Sequence, residues 1–141
     1  MDEIDNFQRV SPIRNFKNLE VYQISYKASI IIMLAVAPKL PESEKFDLKS
    51  QLTRSCKAIP RLIAEGYAKR HQNKGFQKYL DDALAESNET EVSLTQCKDL
   101  YFVEIDKALL SWLILIYERI SKQIYRTKEN WTAHKENNAQ N

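Results

Sequence analysis

The sequence predicts an all-α protein that folds as a single antiparallel four-helix bundle. Only two glycines and four prolines occur in 141 residues, too few turn-forming residues for an all-β chain. Hydrophobic residues make up 43% and charged residues 28% of the chain, a balance typical of globular proteins. Apolar residues recur at three- and four-residue steps in four long segments. Short links between these segments favour an up-down-up-down arrangement.

The first predicted helix spans residues 18–37, after a polar lead-in of residues 1–17. Asn18 is a suitable N-cap, and Pro38 ends the helix because proline cannot continue the hydrogen-bonding pattern. One apolar stripe is expected to face the core; it consists of Leu19, Tyr22, Tyr26, Ile30, Met33 and Ala37.

The second predicted helix begins near Ser43 or Asp47 and ends near Arg70. Its core stripe is Leu48, Leu52, Cys56, Ile59, Ile63 and Tyr67. Pro60 removes one backbone hydrogen bond in the middle of the helix and should kink it. Gly66 either lets a neighbouring helix approach closely or is a weak point before the helix ends. Both interpretations of Gly66 stay open at this point.

The third predicted helix is capped by Asn73 and ends near Tyr101, and the fourth is capped by Asp106 and ends near Lys128. The bundle therefore covers residues 18–128, and residues 129–141 are predicted to be a frayed polar tail. The third stripe is Phe76, Tyr79, Leu80, Ala83, Ser87, Thr90, Leu94, Cys97 and Tyr101. The fourth is Leu109, Trp112, Leu113, Ile116, Ile120 and Ile124. Cys56 and Cys97 lie on these stripes, which predicts buried, reduced thiols.

Two helices carry more apolar residues than one stripe can hold. The residues outside the stripes are Ile24, Ile31, Ile32 and Val36 in the first helix and Leu110, Ile114 and Leu115 in the fourth. Exposed apolar surface of this kind usually marks an association surface. The sequence therefore predicts a homo-oligomer with these residues at its interface. The alternative is that the terminal tails fold over them.

Positive charge is concentrated between residues 54 and 78, which contain seven bases and one acid, Glu65. The bases are Arg54, Lys57, Arg61, Lys69, Arg70, Lys74 and Lys78. Repeated around an oligomer, such a face would suit the phosphate backbone of RNA or DNA. The alternatives are a scaffold that docks an acidic protein partner and a face that is merely solvated. An acidic cluster of the third helix, including Glu86 and Glu89, is either solvated or paired with this basic face.

Residue patterns for catalysis or for cofactor binding are missing. The two histidines lack metal-ligand neighbours, and no glycine-rich phosphate loop is present. We therefore expect no enzyme activity, no catalytic residue, no metal and no cofactor. The longest apolar runs have about ten residues, whereas a membrane span needs roughly twenty. With no visible signal peptide, we expect a cytoplasmic protein without membrane contact.

Several short motifs resemble the bacterial four helix bundle protein family, also called the 23S ribosomal RNA intervening-sequence protein family. They are Phe16-x-x-Leu19-Glu20-Val21, Leu40-Pro41 with Glu44, Leu48-x-x-Gln51-Leu52-x-Arg54-Ser55, Ile59-Pro60, Ile63-Ala64-Glu65-Gly66-Tyr67, Ala83-Leu84-Ala85 and Asn88-Glu89-Thr90-Glu91. The sequence departs from the family at Ala58 and Leu62, where relatives carry Ser and Asn.

The resemblance implies a four-helix bundle and a ring-shaped homopentamer. It marks Gln51, Pro60, Glu65, Gly66, Asn88 and Glu89 as motif residues. The family is also similar to the accessory variability determinant of diversity-generating retroelements, a basic pentamer that binds nucleic acid. The resemblance therefore implies a nucleic-acid-binding role.

Overall fold

Four long helices form the protein in the computed structural model, which describes residues 13–140 and the side chains of residues 13–131. They are α1 (Glu20–Ile31), α2 (Leu48–Ala68), α3 (Gly75–Leu100) and α4 (Lys107–Gln140). Each helix packs on the next along the chain, and α1 also contacts α4. The described residues contain no strand. The predicted all-α four-helix bundle is confirmed.

The start of α1 differs from the prediction. Asn18 belongs to a preceding 3-10 turn, Phe16–Asn18, where its side chain accepts a hydrogen bond from the backbone N–H of Arg14 at 2.9 Å. Helix α1 therefore begins at Glu20, with Leu19 at the N-cap position. After Ile31 the helix widens into a π-helical turn, Ile32–Val36, and tightens into a 3-10 turn, Ala37–Lys39, at Pro38.

The predicted core stripe of α1 is wrong in its middle part, whereas its end residues Leu19 and Ala37 are buried as predicted. The side chains of Tyr26 and Ile30 are 48% and 40% exposed. The buried residues of this segment are Leu19, Val21, Ile24, Ser25, Ala28, Ser29, Ile32, Val36 and Ala37. Aliphatic side chains bury without needing a hydrogen bond, whereas each tyrosine hydroxyl needs a polar partner inside a core. The predicted interface residues Ile24, Ile32 and Val36 are therefore core residues of the chain itself.

Helix α2 follows the sequence pattern closely. All six residues of its predicted stripe are buried, and the helix continues through Pro60. At Gly66, an added Cβ would lie 2.5 Å from the Cβ of Tyr79 on α3. The structure thus favours the first interpretation of Gly66, because the missing side chain permits close contact between the two helices.

The α2–α3 turn ends on a residue that the sequence did not suggest. Lys74, and not Asn73, occupies the N-cap position of α3, with a left-handed φ of 56°. Directly after it, an added Cβ on Gly75 would collide with the carbonyl oxygen of Lys69. A glycine at this position lets the turn close back on the end of α2.

Helix α3 contacts α2 and α4 through small hydroxyl residues. The Thr90 hydroxyl donates to Ser55 Oγ at 2.8 Å, and Ser87 Oγ lies 2.8 Å from Ser121 Oγ. At one end of the bundle, the hydroxyl of Tyr101 donates to Glu44 at 2.7 Å and joins the α1–α2 and α3–α4 turns. These contacts fix the relative positions of the helices on which the surface residues lie.

Helix α4 is longer than predicted. Asp106 caps it as expected, since its carboxylate accepts from the backbone N–H of Ala108 at 2.9 Å. The helix then continues past Lys128 to Gln140. The prediction of a frayed polar tail is therefore wrong for residues 129–140. Trp131 lies seven residues after Ile124 on the same helical face and packs edge-on against Phe76, with ring centroids 5.0 Å apart. Residues 1–12 of the predicted lead-in lie outside the described residues.

The segment Glu20–Lys39 is long and apolar enough to cross a membrane by length and composition alone. It is the one such helix within the described part of the chain. The core helix of a bundle meets the same criterion, and Ile24, Ala28 and Ile32 of this segment are completely buried against other parts of the chain.

Candidate nucleic-acid interface

Three bases on the outer surface of α2, Arg54, Lys57 and Arg61, occupy one helical face because they are spaced three and four residues apart. Arg54 contacts two carboxylates of α3, with Nη1 3.3 Å from Glu86 Oε1 and Nη2 bonded to Glu89 Oε1. The hydrogen bond to Glu89 and the negative charge of Glu86 raise the pKa of Arg54. The charge of Arg54 is therefore compensated, and the predicted pairing of acidic α3 residues with the basic face is confirmed for Glu86 and Glu89.

Lys57 and Arg61 are exposed one turn apart, and within the described residues neither forms an ion pair or a side-chain hydrogen bond. They stand on a ridge between two grooves. The α2–α3 groove encloses about 590 Å³ and is bordered by Arg54, Glu65 and Glu86 in addition to this pair. The α1–α2 groove lies on the other side of the same pair. These two side chains are exposed cations that remain available to a ligand in either groove.

The other four predicted binding residues lie elsewhere. Lys69 donates to the hydroxyl of Tyr79 at 2.7 Å, and the guanidinium of Arg70 stacks 4.2 Å from the ring centroid of Tyr67. Lys74 and Lys78 line a third groove, which they share with Asp81, Asp82 and Lys128. The seven bases thus form three separate groups.

The α1–α2 groove is lined by three aromatic rings, two of which, Tyr22 and Tyr26, belong to the stripe that is predicted to face the core. The rings of Tyr22 and Tyr26 stack with centroids 5.9 Å apart, and the ring of Phe16 meets Tyr22 edge-on at 4.9 Å. Pro60 and the stems of Lys57 and Arg61 form the opposite wall. The phenol groups of Tyr22 and Tyr26 could have indicated from the sequence that this stripe lies at the surface, because tyrosine favours positions where its hydroxyl reaches water.

The family-motif residues have different structural roles. Glu89 pairs with Arg54, Asn88 accepts from the hydroxyl of Ser121 at 3.3 Å, and Gln51 donates to Asp47 at 3.4 Å. Pro60 is buried and borders the α1–α2 groove, whereas Glu65 is exposed in the α2–α3 groove. Ala58 and Leu62, which depart from the family pattern, are half-buried at that same groove.

Exposed apolar side chains occur mainly where the sequence did not predict them. Of the predicted interface residues of α4, Leu110 is completely buried, Ile114 packs against the core and Leu115 is 62% exposed. Ile31 of α1 also packs partly against the core. Five exposed residues instead lie at the end of the bundle that carries the α1–α2 and α3–α4 turns: Leu34, Phe46, Leu100, Phe102 and Val103.

The described residues contain no group of side chains suited to hold a metal ion. Cys56 and Cys97 are free and buried, and burial raises the pKa of both thiols to about 12. Such thiols stay protonated and are poor nucleophiles. His71 is exposed in the α2–α3 turn, and the side chain of His134 lies outside the described residues.

These features define the class as an antiparallel four-helix bundle with basic and aromatic grooves on its outer surface. The chain belongs to the 23S rRNA-intervening sequence protein family, which it matches over residues 17–126. That range includes α1, α2, α3 and the first part of α4, together with the motif residues Gln51, Pro60, Glu65, Gly66, Asn88 and Glu89. No curated protein matches the chain, and no solved structure matches it.

Proposed function

We propose that the protein is a non-enzymatic homo-oligomer that binds nucleic acid through the outer surface of α2. The observation that carries this proposal is the pair Lys57 and Arg61, two exposed cations one turn apart without a carboxylate partner. Arg54 is already engaged with Glu86 and Glu89, Lys69 donates to Tyr79, and Arg70 stacks on Tyr67. The pair therefore places two positive charges without a carboxylate partner side by side on this surface.

Self-association strengthens the electrostatic argument. A single pair of cations attracts a phosphate backbone weakly, whereas several copies arranged in a ring present a continuous positive surface. The exposed side chains at the turn end of the bundle, including Phe46, Phe102 and Val103, supply apolar surface for contacts between subunits. The resemblance to the accessory variability determinant supports five subunits, and we propose a pentamer.

The experiment measures binding of a fluorescently labelled 20-nucleotide RNA by anisotropy between 50 and 200 mM salt. The variant K57E/R61E should bind at least tenfold more weakly than wild type at the lower salt concentration. Its salt dependence should also be shallower, because each phosphate contact contributes about −0.7 to −0.9 to the slope of log K against log salt.

The matched control is K107E/K122E, which changes the net charge equally at two exposed lysines of α4. The proposal requires this control to bind much more tightly than K57E/R61E. Equal loss in both variants would mean that only the net charge matters. Wild-type protein that binds no RNA or DNA at 50 mM salt, yet retains one acidic protein, would replace the proposal with the scaffold function.

A further inference from the structure

We propose that the α1–α2 groove holds unpaired bases, so that the nucleic acid recognised by this protein is single-stranded. This inference rests on the proposed function and specifies its ligand. The groove encloses about 330 Å³ and opens to solvent between Tyr22 and Tyr26 on one side and Pro60 on the other. Its position beside Lys57 and Arg61 places flat apolar rings and phosphate-binding cations within one site.

The aromatic residues present a surface suited to stacking. Tyr22 and Tyr26 are nearly parallel, with 24° between their ring planes, and Tyr26 remains 48% exposed. The edge of the Phe16 ring supports Tyr22 from below at an angle of 82°. Planar bases stack on exposed aromatic rings regardless of their sequence, and this is how many single-strand-binding proteins hold their ligands. A duplex cannot use such a groove, because its bases are already stacked on each other.

The charges around the groove select an anionic ligand. Its lining includes Lys57 and Arg61 and contains no carboxylate. A base stacked on the exposed ring of Tyr26 would leave its own phosphate on the side of the groove that carries these two side chains. Their long stems add apolar surface to the wall while their charged ends reach toward solvent. A polynucleotide therefore matches both properties of the groove, its apolar floor and its cationic rim.

A second copy of this chain is a poorer occupant. A helix from another subunit packed into the groove would cover both cations, and removing charges from water without a partner is costly. The groove itself offers no acid to compensate them. The exposed side chains at the turn end, such as Phe46 and Val103, provide apolar surface for self-association without that cost.

The test compares a 12-nucleotide oligo(U) with an RNA duplex of the same length, at 50 mM salt and with full-length protein. The variant Y22A/Y26A should bind oligo(U) at least about fivefold more weakly, which is the lower end of what one lost stacked base costs. Its affinity for the duplex should stay within twofold of wild type. The variant Y22F/Y26F keeps the rings and should retain wild-type binding to oligo(U).

Two further variants guard against loss of folding. Y26A alone removes a half-exposed ring and should still weaken oligo(U) binding, while Y125A removes an equally exposed tyrosine of α4 and should not. If K57E/R61E loses RNA binding but Y22A/Y26A does not, the base-binding inference is overturned and the proposed function stands. Equal loss for oligo(U) and duplex, or a change in the oligomer mass of Y22A/Y26A, would also overturn it. Absence of all binding by wild type would overturn both.

Discussion

Gly66 offers a sharp test of how closely α2 and α3 approach each other. A Cβ at this position would lie 2.5 Å from Tyr79 Cβ and 3.1 Å from Phe76 Cδ1, whereas ordinary contacts begin near 3.4 Å. Tyr79 Cβ is attached directly to the backbone of α3 and cannot rotate away. Accommodating alanine therefore requires the two helices to separate locally by close to an ångström.

The expected change in the stability of G66A is the difference between a packing cost and a gain in helix propensity. Overpacking a close contact costs about 1–3 kcal/mol, and replacing glycine by alanine inside a helix returns about 1 kcal/mol of helix propensity. We expect a net loss of about 1 kcal/mol in the free energy of unfolding, or about 3–5 °C in Tm for a chain of this size. Urea unfolding followed by circular dichroism measures this difference.

The matched control is A85G, at an exposed position inside α3. It has no packing contribution, so it reports the propensity term alone and should cost about 1 kcal/mol. A G66A variant more stable than wild type would refute the reasoning, because the propensity gain would then exceed any packing penalty. The close approach of α2 and α3 at Gly66 would have to be abandoned.

Two further predictions concern charge and thiol chemistry. The variant E86Q/E89Q should free the charge of Arg54 and tighten RNA binding severalfold in the anisotropy assay. It should lose less than about 1 kcal/mol in stability, because the guanidinium of Arg54 is largely in water. Unchanged or weaker RNA binding would contradict the role of this surface. Cys56 and Cys97 should resist Ellman's reagent at pH 8 in the native protein and both react in denaturant, because burial raises their pKa to about 12. Because folding disfavours the ionisation of these thiols, the stability that they contribute is complete below pH 9 and is lost as the pH rises toward 12. Rapid labelling of either cysteine in the native protein would contradict their burial.

The sequence was most informative where one residue pattern had one physical solution. The stripe of α2 from Leu48 to Tyr67 contains aliphatic residues at every position except Cys56 and Tyr67, and polar or charged residues occupy the opposite face. Only one orientation of that helix buries the apolar face, so the pattern identified it. Asp106 was equally clear, because a carboxylate directly before an apolar run has one common role as a helix cap.

Helix α1 was ambiguous because apolar residues nearly surround it. Two stripes were possible, one containing Tyr22, Tyr26 and Ile30 and one containing Ile24 and Ile32. Counting apolar positions could not separate them, but the polar hydroxyls of the tyrosines could. Choosing the wrong stripe placed core residues at the predicted oligomer interface and concealed the aromatic groove.

The arrangement of charges required the tertiary structure. Sequence spacing put Arg54, Lys57 and Arg61 on one face of α2, which the structure bears out. The spacing could not show that α3 brings the carboxylates of Glu86 and Glu89 to Arg54 but brings none to Lys57 and Arg61. The contact of Trp131 with Phe76, 55 positions earlier in the chain, is likewise a long-range contact that no local pattern in a polar tail indicates.

We propose above all that an oligomer of this chain binds nucleic acid through α2. Size-exclusion chromatography with multi-angle light scattering, run with and without a 20-nucleotide RNA, tests both parts at once. We predict a protein mass of five times the 16.5 kDa of one chain, a further rise in mass on adding RNA at 50 mM salt, and loss of that rise in K57E/R61E. A protein that elutes as a monomer, or an oligomer whose mass RNA does not change, would contradict the account.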